Sequence, residues 1–434
     1  MPPSRCLSGV EPSNLQNRVD HWQRFKTGDF KQKWNSSKLI VKEGDSAIAP
    51  LLELLDDPTA DAETHWFTIR ALGNFPGEPE VIAALATQVN NDASCYANRT
   101  SEQAAELSAF VIETLAAMGT SAIDVLSQLL EDPQRRLLAA KALNRVRSSG
   151  IIPAMVRVAN DNDAMVRYYA VDALGSFHSS TVTPVLLAAL KDLSAAVRKV
   201  AVMALGRRRD LQESYQLSQQ LQPLLWDIDV AVSCQAALAL GRLGADDTIT
   251  SLKSVLLSEH TPMALRIDTV RALGWYCDFA SVHGQTTTAN GTVNKAFTVL
   301  TDTLTCCRDG DANTQNAPQG LTAQERAKLQ ITIIRVLGDL RRSLLANQAT
   351  DVLIHHLEEQ LPISVIQVLI MALANLKQPQ AFDALMPLLN HPAETIPIHA
   401  IAALKQLDPE DNLSRVTDYI NGLSDDLTDI LNFW

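Results

Sequence analysis

The side chains in this chain that could ligate a soft metal are Cys277, Cys306, Cys307 and His283. Thiolate and imidazole are the donors that zinc and iron–sulfur clusters select. Cys306 and Cys307 adjoin each other at the end of a helical segment, and Cys277 lies near the end of the helix before it. The four could approach one another, although their spacing matches no established ligand framework. Cys234 is expected on a helix face, and Cys6 and Cys95 in exposed segments. His355 and His356 are adjacent, so on a helix they point about 100° apart and do not chelate one ion from one face. No Gly-rich phosphate loop, nucleophile elbow or HExxH motif is present.

The elements that would position these groups come from internal repetition. A phrase of the type Ala-Leu-Gly recurs as Arg70-Ala71-Leu72-Gly73, Asp172-Ala173-Leu174-Gly175, Met203-Ala204-Leu205-Gly206, Leu238-Ala239-Leu240-Gly241, Arg271-Ala272-Leu273-Gly274 and Arg335-Val336-Leu337-Gly338. Weaker copies centre on Leu115, Leu143, Leu373 and Leu404. Successive leucines sit 43, 28, 31, 31, 35, 33, 64, 36 and 31 residues apart, so the base period is near 31 with two insertions. Each period reads as two helices. Between Thr181 and Gly206, residues 184–190 carry one apolar stripe, and Val197, Val200, Ala201, Ala204 and Leu205 carry a second at spacings of three and four. Asp192 or Ser194 can cap the second helix, and Gly206 stands where a left-handed C-terminal cap is expected. A lone hairpin of this kind cannot bury its apolar faces. Stacked neighbours must cover them, which predicts an all-α repeat array, an α-solenoid.

The second helices also suggest a binding surface. With the marker leucine facing the core, residues two and six before it are expected to point away. These are Trp66 and Arg70, Leu137 and Lys141, Tyr168 and Asp172, Lys199 and Met203, Cys234 and Leu238, Ile267 and Arg271, Ile331 and Arg335, and Gln367 and Met371. Apolar residues alternate with Arg or Lys, and Trp275 joins them. In helical solenoids second helices line the concave side, so the stripe predicts a groove with an apolar floor and basic points. Arg167, Arg198 and Arg266 lie seven before their leucines and are expected to pair with turn aspartates such as Asp163 in a structural ladder.

Composition narrows the function classes. The 434 residues carry a net charge of −12, which disfavours a general nucleic-acid binder. No apolar run approaches a membrane span, and no apolar segment marks a secretory signal, so a cytoplasmic protein is expected. Six cysteines do not make a disulfide scaffold in a chain of this length. Residues 1–45 hold eight Lys or Arg and five Asp or Glu, a net of +3. They read as a basic cap of one or two helices around Trp22, Phe25, Phe30 and Trp34. Residues 46–406 form the repeat array, with insertions near 91–100 and 281–321 that read as loops around a helix over 292–307. Residues 407–434 read as a capping helix and an acidic tail ending in Phe433 and Trp434.

The stretches Asp163-Ala164-Met165-Val166-Arg167-Tyr168-Tyr169-Ala170-Val171-Asp172-Ala173-Leu174-Gly175 and Ala195-Ala196-Val197-Arg198-Lys199-Val200-Ala201-Val202-Met203-Ala204-Leu205-Gly206 resemble HEAT repeats. More narrowly, they resemble the short HEAT-like repeats of the E/F-type phycobilin lyases. The lyases often show Tyr-Tyr-Ala-Ala-Trp-Trp-Leu-Gly. Here residues 168–175 keep the tyrosines and lack both tryptophans. Residues 173–178, 183–190 and 261–275 are similar to cyanobacterial HEAT-repeat proteins that associate with IscA-type iron–sulfur carriers and stabilise their cluster.

That resemblance implies a non-catalytic scaffold that clasps an IscA-type carrier. The chain alone would bind no cofactor. A [2Fe–2S] cluster would be held mainly by the partner, with one thiol from Cys277, Cys306 or Cys307 able to join. The lyase likeness implies an alternative, a subunit presenting a phycobilin to a phycobiliprotein, with Arg and Lys on the propionates and Tyr168 and Trp275 on the rings. A generic peptide-binding adaptor is the third reading.

Overall fold

The computed structural model describes residues 12–90, 101–279, 287–309, 318–357 and 361–407. These residues form an all-α repeat solenoid with no strand among them. Its helices divide into two compact units, Met1–Ala189 and Leu190–Trp434. No helix among the described residues is long and apolar enough to cross a membrane.

In the first unit, helices Pro12–Thr27 and Phe30–Val41 precede the repeats. Helix Phe30–Val41 packs on helix Ala62–Leu72 through aromatic side chains. The Phe30 and Phe67 rings lie 5.2 Å apart, and Trp34 meets Phe67 edge-on at 6.3 Å. Lys33 is buried in this contact, and its Nζ reaches Asp61 at 2.7 Å and Glu63 at 3.2 Å. A buried ammonium persists only when it is paired in this way. Asp61 also caps helix Ala62–Leu72 by accepting from the Thr64 amide at 2.6 Å. The later hairpins of this unit pair Pro79–Asn90 with Ser101–Ala117, Ile123–Leu129 with Arg136–Arg145, and Ile152–Val158 with Ala164–Leu174.

In the second unit, Ala195–Leu205 is followed by Val230–Leu243, Met263–Phe279, Ala323–Gly338, Ile363–Leu376 and Thr395–Leu407 as the second helices. The marker leucines 205, 240, 273, 337, 373 and 404 are all at most 1% exposed, as the repeat phrase requires. The larger insertion is more helical than expected. Helix Thr287–Asp309 runs five residues further toward the N-terminus than the stretch beginning at Thr292 and packs between Met263–Phe279 and Ala323–Gly338. The stretch 91–100, with Cys95, lies outside the described residues, as do Cys6, His283 and the tail from 408 onward.

The glycines of the repeat phrase do not act as left-handed caps. Gly206 has φ −63°, and Gly73 and Gly175 both have φ −59°, all in the right-handed region. At Gly206, Gly241 and Gly338 close approach requires glycine instead. A Cβ on Gly206 would stand 2.5 Å from the Ala239 Cβ, and one on Gly241 would stand 2.7 Å from the Ala272 Cα. Gly338 meets Ala372 in the same way at 2.6 Å. The glycines at 206, 241 and 338 therefore receive the alanine that directly precedes the marker leucine of the next phrase, and Gly274 receives Val336 at that position. The left-handed cap of helix Val230–Leu243 is Gly244, at φ +70°.

Candidate partner-binding surface

The arginines near the start of the second helices hold the turns together. Arg198 donates to the Asp192 and Leu193 carbonyls of its own turn at 2.8 and 3.1 Å. It also grips the Asp227 carboxylate of the next turn through two bonds of 2.7 Å. That hydrogen bonding holds Asp227 below the usual carboxylate range. In the first unit Arg136 reaches Asp161 at 3.0 Å, while Arg167 donates to the Asp161 and Asn162 carbonyls. The expected ladder needs two corrections. Asp163 serves as a helix cap to the Met165 amide, and the aspartate that takes an arginine is the one two residues earlier. Arg266 bonds carbonyls, those of Ser258 at 2.7 Å, Thr261 at 3.1 Å and Gln319 at 2.8 Å. It thereby anchors the returning end of the large insertion.

The stripe on the second helices separates into two rows. Two residues before the leucines, Arg70, Lys141, Arg271, Arg335 and Met371 are exposed. Asp172, Met203 and Leu238 in the same row are half-buried. Six residues before the leucines, Trp66, Leu137, Tyr168, Lys199, Ile267, Ile331 and Gln367 are half-buried, and Cys234 is buried. This corrects the expectation that both rows point outward. Six residues wind a helix about 600°, which leaves the side chain roughly 120° from the leucine, on the flank toward the neighbouring helix. Trp66 accordingly stacks on Phe110 at 5.0 Å. Asp172 accepts from the Asn144 amide at 3.0 Å. Tyr168 packs edge-on against Tyr169, and burial followed by the Asp172 charge raises its phenol pKa. Trp66, Tyr168 and Asp172 thus serve the stacking of their unit.

In the second unit the outward row opens on a pocket of about 290 Å³ lined by Arg271, Trp275, Asp278, Val336 and Asp339, among others. Arg271 donates to Asp268 at 2.9 Å and keeps more than half of its side chain in solvent. Trp275 is 38% exposed and carries the Arg242 guanidinium 4.9 Å over its ring. Burial, then the neighbouring Asp278, raises the Asp339 pKa above its ordinary value. Arg335 forms no ion pair among the described residues. An indole, free guanidinium edges and carboxylates side by side suit recognition of a protein surface. Sequence reasoning missed the turn tips of this unit. Leu193 and Ile228, both 96% exposed, occupy the same turn position in successive repeats, beside exposed Trp226.

The thiols do not gather. Among the described residues, no three His, Cys, Asp or Glu side chains stand together as a metal site, and this includes Cys277, Cys306 and Cys307. Burial pushes the Cys277 and Cys307 thiols up to about 12, away from the thiolate that a metal needs. Cys234 is likewise pushed to about 12, first by burial and then by Asp268. His283, the fourth candidate ligand, lies outside the described residues.

Comparison with known proteins agrees with the architecture. A family model described as HEAT repeats matches residues 123–206, 183–274 and 350–429. No curated protein sequence matches the chain. Among solved structures, the karyopherin Kap121p bound to the extreme C-terminus of the protein phosphatase Cdc14p is similar, with a TM-score of 0.56 at 13% identity. That likeness covers 92% of this chain and 46% of the karyopherin, so the chain spans about half of it. The complex of CpcE and CpcF of phycocyanin lyase from Nostoc sp. PCC7120 gives a TM-score of 0.30 at 17% identity, over 57% of this chain and 93% of that one. An engineered protein gives 0.40 at 18% identity, over 90% and 98%.

Proposed function

Because the chain belongs to the HEAT repeat family, we propose that it is a non-catalytic scaffold that binds another protein along the outward row of the second helices of its second unit. The observation that carries this reading is the row itself. In the second unit Arg271 and Arg335 stand exposed on a chain of net charge −12, and Trp275 and Met371 offer apolar surface beside them. Aromatic, Met and Arg side chains are the ones that protein interfaces favour.

The partner in this reading is an IscA-type iron–sulfur carrier loaded with a [2Fe–2S] cluster. Residues 173–178, 183–190 and 261–275 support it through their likeness to IaiH-type HEAT-repeat proteins. The carrier's own cysteines hold the cluster, because the buried thiols here are poor ligands. What this chain supplies is covered surface. Arg271 and Arg335 pair with carboxylates of the carrier, and Trp275 and Met371 exclude water from the contact. A partner that binds only the loaded carrier stabilises that state by mass action, by about 2.7 kcal/mol at a hundredfold excess over Kd.

The test is calorimetric titration of the loaded carrier into the protein and into the Arg271→Glu, Arg335→Glu double variant. Both arginines are exposed, so the variant keeps its melting temperature. The reading expects binding to be lost in the variant. Undiminished binding refutes the role of the row. A carrier that never binds, with a phycobilin taken up instead, replaces the partner with the lyase class.

A further inference from the structure

Within the first unit, helices Phe30–Val41 and Ala62–Leu72 enclose a pocket of about 420 Å³ between Trp34, Lys38, Val41, Lys42, Arg70 and Asn74. Its walls carry three cations and no carboxylate. The Arg70 guanidinium lies 4.5 Å over the Trp34 ring and 5.4 Å over Trp66, and Lys38 Nζ lies 5.0 Å over Trp34. Lys38, Lys42 and Arg70 form no ion pair among the described residues. Two cations over one indole and a third on the same pocket wall repel one another, and the site leaves that repulsion unanswered in a chain whose net charge is −12. A guanidinium held over an aromatic ring, with no ion-pair partner, leaves N–H groups that take carboxylates two bonds at a time.

We infer that this pocket is a binding site for an acidic peptide segment of a partner protein. The anion preference follows from Lys38, Lys42 and Arg70. Asn74 argues for a peptide rather than a bare anion. Its Nδ2 donates to the Arg70 and Ala71 carbonyls at 3.0 and 3.2 Å, which leaves its Oδ1 as an acceptor at the pocket wall. Such an acceptor repels phosphate and carboxylate but receives a backbone N–H. Val41, Ala71 and the Trp34 ring supply an apolar wall for one aliphatic or aromatic side chain between the acidic ones. The volume lies within the ordinary range of ligand pockets and holds a few side chains. The net negative charge of the whole chain disfavours an extended polyanion such as a nucleic acid. The site shares Arg70 with the outward row and otherwise stands on its own geometry.

The experiment measures fluorescence anisotropy of fluorescein-labelled hexapeptides, each with three Asp or Glu residues around one Leu or Phe, against the full chain. The wild-type protein should bind members of this set, and affinity should fall as salt rises. The variant Lys38→Glu, Lys42→Glu should bind about tenfold or more weakly. Lys38→Gln, Lys42→Gln should fall between the two. Both lysines are exposed, so circular dichroism melting should be unchanged in either variant. Arg271→Glu with Arg335→Glu should leave peptide affinity intact, which separates this site from carrier binding. Equal affinity in wild type and the Lys38→Glu, Lys42→Glu variant overturns the inference. So does a peptide set that never binds, or full displacement of the peptides by millimolar inorganic phosphate, which would assign the pocket to a free anion.

Discussion

Ala239 occupies the space in which a side chain on Gly206 would begin, since a Cβ there would lie 2.5 Å from the Ala239 Cβ. Gly206 adopts φ −63°, a conformation open to any residue, so close packing alone demands the glycine. Gly206→Ala therefore has a diagnostic sign. At an uncrowded position with this backbone the change would stabilise by about 0.4–1 kcal/mol. Here overpacking should destabilise by about 1–3 kcal/mol. Adding Ala239→Gly should recover part of the loss, and denaturant melts of the three variants measure it.

Arg198 and Asp227 bind two turns of successive repeats at 13% and 6% side-chain exposure. Arg198→Ala leaves a buried carboxylate unpaired and should cost about 3 kcal/mol or more. The loss should depend on pH. The folded pKa of Asp227 lies below its ordinary 3.8, chiefly through the bond from Arg198. The stabilisation is thus complete above 3.8 and is lost as the pH falls through the lower folded value. Wild type and variant melts should converge below that range. A constant gap across it would contradict the ion-pair origin.

Cys277 and Cys307 are held up near 12 by burial, so at pH 8 they are almost entirely thiol. Alkylation of the native protein at that pH should spare both until the protein is unfolded, and peptide mass mapping reads this directly. Cys306, half-buried beside Cys307, should be modified ahead of its neighbour. For the same reason Cys277→Ser with Cys307→Ser should leave the lifetime of a bound carrier's cluster unchanged. A shorter lifetime would return these thiols to the cluster.

Much of the repeat core was legible in the sequence because the marker leucines recur at a helical hairpin's length and each lies on an apolar stripe. The role of the following glycine was not legible in the same way. A helix-terminal Gly reads as a left-handed cap unless the alanine some 33 residues later is known to touch it. The recurrence of a small residue, Ala in five of the six phrases and Val336 in the other, two positions before the glycine was the available signal. The outer surface was half legible. Arg271 and Arg335 lie two residues from their leucines and do reach solvent, whereas Trp66 and Cys234 lie six residues away and turn toward neighbouring helices. The sequence showed basic residues among the aromatics of the first helices. That Trp34 would meet Arg70 depends on the packing of Phe30 and Trp34 against Phe67, which no local pattern encodes.

The most direct test of the scaffold reading is anaerobic co-expression with an IscA-type carrier, followed by size-exclusion chromatography read at about 280 nm and across the visible range. The account predicts one brown peak containing both proteins, with the carrier keeping its colour longer than it does alone. Separate elution, with the carrier bleaching at its unassisted rate, would contradict it.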